Sequence, residues 1–287
     1  MSGKNLDNWL LARRRRPLLM GVLNITPDSF SDGGSYLDHS AAITRGMQML
    51  AEGATILDVG GESTRPGSES VDATEQIRRT QLVIQALAQR GAIVSIDTTS
   101  AAVAEAAIEA GATIVNDIAA GHLDPAMLSL VARTGAAIVL VHMRGTPRTM
   151  QEQPTYDDVV AEVVHFLTER ADACRAAGIA PHRILVDVGI GFGKTLEHNL
   201  ELLRYHRRFA ELGYATVLGT SRKGFIGTLT NRPVASERVM GTAATIAWGL
   251  TNGADILRVH DVAAMREVME VITAIRGVDP AQSSPTS

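Results

Sequence analysis

Eight short, nearly all-apolar runs rich in Val and Ile alternate with longer amphipathic stretches along almost the whole chain, and few folds accommodate that alternation. The runs cover residues 18–24, 55–59, 92–97, 113–116, 136–142, 183–187, 215–219 and 256–259. A strand that is apolar on both faces belongs in a parallel sheet covered on both sides. Helical periodicity fills the intervals, most clearly over 40–52, 73–90, 101–110, 156–178 and 238–253. Gly-Ala follows a helix at Gly53, Gly111, Gly135 and Gly253, a repeated C-cap glycine leading into the next strand. The pattern predicts a single-domain α/β fold, a (β/α)₈ barrel over residues 18–277, and 287 residues suit one such barrel. The rival, an open doubly wound sheet, needs a glycine-rich first turn, and residues 24–28 contain no glycine.

Outside that span, residues 1–17 read as an N-terminal lead-in in which Arg13 to Arg16 are solvated, and residues 278–287 as a disordered tail. The apolar run after the arginines breaks at Asn24 and has no cleavage site, which argues against a signal peptide. A net charge of −4 gives no reason to expect nucleic-acid or membrane binding. No apolar run approaches the roughly 18 residues of a membrane helix. The lone Cys174 excludes an intrachain disulfide, so a cytoplasmic setting is expected.

Polar residues stand where the apolar runs end: Asn24, Asp58, Asp97, Asn116, His142, Asp187, and Arg258 with His260. Any one of them is explicable as a helix cap. Closing the barrel brings all of them to the rim where barrel enzymes carry their chemistry. Asp97, Asn116 and Asp187 suit a planar heterocycle that presents adjacent N–H donors, while Arg258 and His260 point to a phosphate-like anion. Two long Gly/Pro/Ser/Asp-rich connections, 25–38 and 60–72, lie on the same side. Ser221-Arg222-Lys223 adds two cations. The stretch from Gly189 to Thr195 has a phosphate-loop flavour, but the first glycine of that motif falls on Val188. Its glycines are expected to let the backbone and Phe192 approach a flat ligand.

At these residues the chain strongly resembles the bacterial dihydropteroate synthase family. The resemblance is carried by Met20-Gly21-Val22-Leu23-Asn24-Ile25-Thr26-Pro27-Asp28-Ser29-Phe30 and Asp58-Val59-Gly60-Gly61-Glu62-Ser63-Thr64-Arg65-Pro66-Gly67. Ile96-Asp97-Thr98, Val115-Asn116-Asp117-Ile118, His142-Met143, Gly191-Phe192-Gly193-Lys194, Ser221-Arg222-Lys223 and Arg258-Val259-His260-Asp261 follow in order. It implies an enzyme, a transferase of folate biosynthesis that joins 6-hydroxymethyl-7,8-dihydropterin diphosphate to 4-aminobenzoate and releases diphosphate. It implies Asp97, Asn116, Ile118, Met143, Asp187, Phe192 and Lys223 around the pterin. It implies Asn24, Thr64, Arg65, Arg258 and His260 at the diphosphate, and Phe30, Thr64, Pro66 and Ser221 at the aminobenzoate. Asp97, Lys223 and Asp28 are the implied catalytic residues, Mg²⁺ the implied cofactor with Asn24 beside it, and a homodimer the implied assembly. Sulfonamides, which bind the aminobenzoate pocket in family members, are implied ligands. The family usually has proline where this chain has Val188, which is expected to loosen the start of that loop. A methyltetrahydrofolate methyltransferase and a catalytically silent pterin-binding homologue are the alternatives, and the ordered motifs favour the synthase.

Overall fold

The computed structural model describes residues 3–12, 16–25, 35–62, 71–146, 150 and 154–277. Eight parallel strands close into a barrel in chain order: β1 (Leu18–Asn24), β2 (Ile56–Gly60), β3 (Ile93–Asp97), β4 (Ile114–Asp117), β5 (Ala137–Val141), β6 (Ile184–Asp187), β7 (Ala215–Leu218) and β8 (Ile256–Val259). β8 pairs back onto β1, with Leu18 opposite Ile256. These strands fall on the eight runs read from the sequence, most of them trimmed or shifted by a residue or two. Helices fill the intervals: α2 (Ser35–Glu52), α3 (Ala73–Ala88), α4 (Ala101–Glu109), α5 (Met127–Thr134), α6 (Val159–Ala176), α7 (Leu196–Arg204), α8 (His206–Ala210), α9 (Gly224–Thr230), α10 (Val239–Thr251) and α11 (Val262–Ile275). Gly53, Gly111, Gly135 and Gly253 all have positive φ, as the repeated C-cap requires.

The lead-in departs from expectation. Residues Gly3–Leu11 form a further helix, α1, whose Leu6, Trp9 and Leu10 are buried against Leu18, Ile56, Ile93 and Ile114 at the strands' N-terminal ends. Leu10 is 1% exposed, so this end of the barrel is plugged by apolar packing. Trp9 Nε1 donates to the Arg16 carbonyl at 2.7 Å, Arg183 pairs with Asp7 at 2.8 Å, and Arg16 makes a two-pronged pair with Glu270 at 2.7 Å. Arg16 is therefore engaged rather than solvated, while Arg13, Arg14 and Arg15 lie outside the described residues, as does the tail 278–287. α2 begins at Ser35, so the first long connection is shorter than 25–38. Among the described residues no helix is long and apolar enough to cross a membrane.

Strand periodicity then dictates where the polar side chains go. Alternate residues of a strand share a face, and the inward face begins apolar at the plugged end. Two to four residues further along it becomes polar: Ile56 is followed by Asp58, Ile93 by Ser95 and Asp97, Ile114 by Asn116, Leu185 by Asp187, and Ile256 by Arg258. The barrel interior is thus a packed apolar column topped by one polar layer. Leu19, Leu57, Val94, Val115 and Leu257, on the opposite parity, join the shell between strands and helices.

Candidate active site

The polar layer forms a connected network. Arg258 donates from Nε to Asp58 Oδ2 and from Nη2 to Asp97 Oδ2, both at 2.6 Å. The same Asp58 oxygen accepts Asn116 Nδ2 at 3.1 Å. Asp58 is wholly buried, and the second oxygens of Asp58 and Asp97 have no hydrogen-bond partner. Burial pushes the Asp97 carboxyl up to about 7 against the pull of Arg258, and the neighbouring Asp58 raises it further. The Arg258 guanidinium, desolvated but facing these carboxylates, is raised above its ordinary value. The sequence suggested Arg258 for an anion; here two of its donors serve carboxylates on β2 and β3. The reason is proximity across the barrel, where two buried carboxylates demand a cation.

A cavity opens over this layer, lined by Asp97, Asn116, Ile118, Val141, Asp187, Ile190, Phe192, Gly219, Lys223 and Arg258, and holds about 320 Å³ including its mouth. The residues expected around a heterocycle all line it except Met143, which is half-buried and packs at the top of the interior column. Asp187 is fixed twice. Its Oδ1 accepts the Gly189 amide at 2.7 Å, and its carbonyl accepts the His142 amide at 3.0 Å. Burial raises its carboxyl above the usual range. Val188, 2% exposed, belongs to the surrounding apolar shell, so this strand end is anchored without proline. Lys223 Nζ stands 4.1 Å from the centre of the Phe192 ring, and burial, with Arg258 near, lowers it to about 8.

The glycine-rich stretch has a different rationale from the one expected. Gly189, Gly191 and Gly193 all have positive φ. A Cβ on Gly189 would collide with the His142 carbonyl, and one on Gly193 with the Arg144 carbonyl. These two glycines serve a close approach to the segment after β5; only Gly191 faces a pocket residue, Lys223 Cδ, 3.2 Å from where its Cβ would stand. Lys194 is buried and turned away from the cavity, as the failed phosphate-loop motif requires.

At the other side of the rim, Ser221 Oγ accepts the His260 amide at 3.1 Å and lies 3.0 Å from His260 Nδ1. Burial first, then Arg258 and Arg222, lower His260 to about 3, so the imidazole that pairs with the serine hydroxyl is neutral. Arg222, at φ 60°, clips this loop to Asp261 through two bonds of 3.0 and 2.5 Å. Asn24 ends β1 half-buried, and a Cβ on Gly60 would stand 3.3 Å from its Oδ1. Asp28, Phe30, Thr64, Arg65 and Pro66 lie outside the described residues.

Sequence reasoning gave Asp58 a place on the rim but no task, and passed over Asp117. Asp117 faces outward from β4 and accepts the Ala119 and Gly121 amides, both at 2.8 Å, fixing the turn that presents Ile118. The Asn-Asp pair was the available signal, since adjacent strand residues face opposite sides.

The sequence profile described as pterin binding enzyme matches residues 20–260. A dihydropteroate synthase of Synechocystis sp. is 44% identical over 95% of this chain and 93% of its own. The structure of the Yersinia pestis dihydropteroate synthase with a sulfonamide drug superposes with a TM-score of 0.86 at 42% identity, covering 92% of this chain and 95% of that one. The Xanthomonas albilineans dihydropteroate synthase with 4-aminobenzoic acid also gives 0.86, at 44% identity, covering 92% and 94%. A barrel rim that gathers these motifs, and relatives this similar over nearly their whole length, place the chain in the family of pterin-binding enzymes, among its dihydropteroate synthases.

Proposed function

We propose that the cavity over Asp97, Asn116 and Asp187 holds the pterin of 6-hydroxymethyl-7,8-dihydropterin diphosphate, and that 4-aminobenzoate meets it at the rim. The observation that carries this is the acceptor set itself. An apolar barrel ends in carboxylate and amide oxygens, of which Asp97 Oδ1 is buried without a partner at the cavity, and a flat heterocycle with adjacent N–H groups satisfies such oxygens. Phe192 and Ile118 supply the apolar walls.

In the reaction the amine nitrogen bonds to the exocyclic methylene carbon, the C–O bond to diphosphate breaks, and the amine gives up a proton. Buried carboxylates beside the ring stabilise positive charge that develops on the methylene. Lys223 lines the cavity beside Arg258 and serves the pterin, while Arg258 and His260 are assigned to the departing diphosphate by the family resemblance. An arylamine is neutral at pH 7 and attacks without a strong base, which suits a site built from acceptors and cations.

Asn24 fits a magnesium ion carried in on diphosphate: it offers one hard oxygen, and Mg²⁺ completes its shell with phosphate oxygens and waters. The described residues contain no cluster of three or more His, Cys, Asp or Glu that would hold a metal without the substrate. When bound, the ion neutralises charge on the leaving diphosphate.

We assign sulfonamides, one of which is bound in the Yersinia pestis structure, to the aminobenzoate site, and a cytoplasmic setting to a chain whose one cysteine is buried and unpaired. A homodimer through α10 and α11 is supported by their outward apolar face, where Met240 is 80% and Ile275 75% exposed.

The deciding experiment is diphosphate release from the pterin diphosphate and Mg²⁺, with and without 4-aminobenzoate. Release that depends on aminobenzoate, with dihydropteroate formed, supports the synthase; saturable pterin binding without turnover rejects it.

A further inference from the structure

The loop joining β6 to α7 is held from within by a lysine that the reaction does not use. Lys194 is 3% exposed. Its Nζ donates to the Phe192 carbonyl at 2.9 Å and the His142 carbonyl at 3.3 Å, and lies 2.9 Å from His142 Nδ1. Burial pushes the Lys194 amine well below the ordinary lysine range, and its nitrogen is enclosed by these three partners, the two carbonyls accepting its N–H groups. Burial, then Lys194 itself, keeps the His142 imidazole neutral beside Nζ.

The rest of the loop is tied as closely. Asn199, 3% exposed, accepts the Gly191 amide at 2.7 Å and donates to the Lys194 and Thr195 carbonyls. The Tyr156 hydroxyl donates to the Gly193 carbonyl at 2.8 Å. Lys194 ties this loop to the start of the segment after β5, at His142. It grips Phe192 by its backbone, while the Phe192 ring faces the cavity and carries Lys223 over it.

We propose that Lys194 is a positioning residue for the pterin pocket: it ties the Phe192 and His142 carbonyls together and thereby sets the Phe192 ring beneath Lys223. The inference rests on the synthase reading for the ligand's identity. It assigns Lys194 no contact with substrate and no proton transfer. Without the three bonds, the Phe192 and His142 carbonyls lose their common donor, and the ring loses its fixed height.

The test uses Lys194→Met, which keeps the stem and removes the donors, Phe192→Ala, and the double variant. Pterin diphosphate affinity is read from quenching of intrinsic fluorescence, and the KM of each substrate from turnover. Lys194→Met is expected to weaken pterin binding roughly tenfold or more, since small misplacements at a site cost factors of that order. The KM for 4-aminobenzoate stays within about twofold, as expected for a site that Phe192 does not line. In the Phe192→Ala background the same change adds less than about twofold, the signature of two residues acting as one. Losses that multiply in the double variant, or that fall equally on both substrates, overturn the proposal. So does unchanged pterin affinity. If Lys194→Met does not fold, Lys194→Gln, which keeps one donor group, must show the same selective loss on a smaller scale. Wild-type protein that binds the pterin diphosphate without turnover would reject the synthase reading, while the affinity series would still decide the role of Lys194.

Discussion

Arg258 and Asp97 are joined by a 2.6 Å bond across the barrel interior, and the same guanidinium holds Asp58. Both carboxylates are buried, at 0 and 5% side-chain exposure, so the pair is exposed to little screening. Replacing Arg258 by leucine leaves two unpaired buried carboxylates and is expected to cost about 3–5 kcal/mol. Urea unfolding at pH 7.5 checks this. The deficit should shrink at pH 5, where a carboxyl raised towards 7 takes up a proton; a deficit independent of pH would contradict the account.

The raised Asp97 carboxyl also sets a pH limit on function. The charged form accepts the pterin's N–H groups best, so kcat/KM for pterin diphosphate should fall on the acid side with an apparent pKa near 7. The effect on the fold has the opposite sign. A folded value above the unfolded 3.8 means that the folded state binds the extra proton between about 4 and 7, so this group adds stability as pH falls through that window. An acid limb absent from the rate profile in Asp97→Asn, with residual activity, identifies the group.

His142 works the other way. It is held neutral, at about 2 against an ordinary 6.5, so the unfolded chain binds the proton and stability is lost as pH falls below 6.5. In His142→Asn, whose amide oxygen can still accept from Lys194, the slope of stability against pH between 6 and 4 should lessen by about 1.4 kcal/mol per unit, one proton's worth. Calorimetry across that range measures it.

Two glycines of similar φ separate strain from collision. Gly213 has φ +88° and open space around it, so Gly213→Ala should cost only about 1–2 kcal/mol. Gly189 has φ +68° and backs onto the His142 carbonyl. Gly189→Ala must displace that backbone, costing more than about 4 kcal/mol and abolishing pterin binding. Equal costs at the two sites would show that φ alone decides.

Trp9 seals the end of the barrel remote from the cavity. Trp9→Ala should lower stability by about 3–5 kcal/mol, while the KM of both substrates stays unchanged. A rise in either KM would mean that the plug communicates with the rim.

The architecture was legible because it is periodic. Parallel strands advertise themselves by runs apolar on both faces, and Gly53, Gly111, Gly135 and Gly253 mark their own joints by the φ they need. The helix at Gly3–Leu11 was not legible: nine residues outside the repeat carry no cap signal, and Leu6, Trp9 and Leu10 acquire a purpose only once the barrel exists to receive them. The site divides in the same manner. Asp97, Asn116 and Asp187 announce themselves as polar ends of apolar runs. The partnership of Asp58 with Arg258, 200 positions apart, has no local trace. The turning inward of Lys194 has none either, since a surface lysine and a buried one are the same letter until His142 is placed beside it.

The bridge from β8 to β2 and β3 has a consequence for how the molecule comes into being. A chain emerging from the ribosome presents Asp58 and Asp97 long before the arginine that neutralises them. Until the eighth strand is inserted, Asp58 and Asp97 lack the guanidinium that joins them. The site is therefore completed only with β8, and a chain stopped short of Arg258 lacks the cation that joins β2 to β3 across the interior.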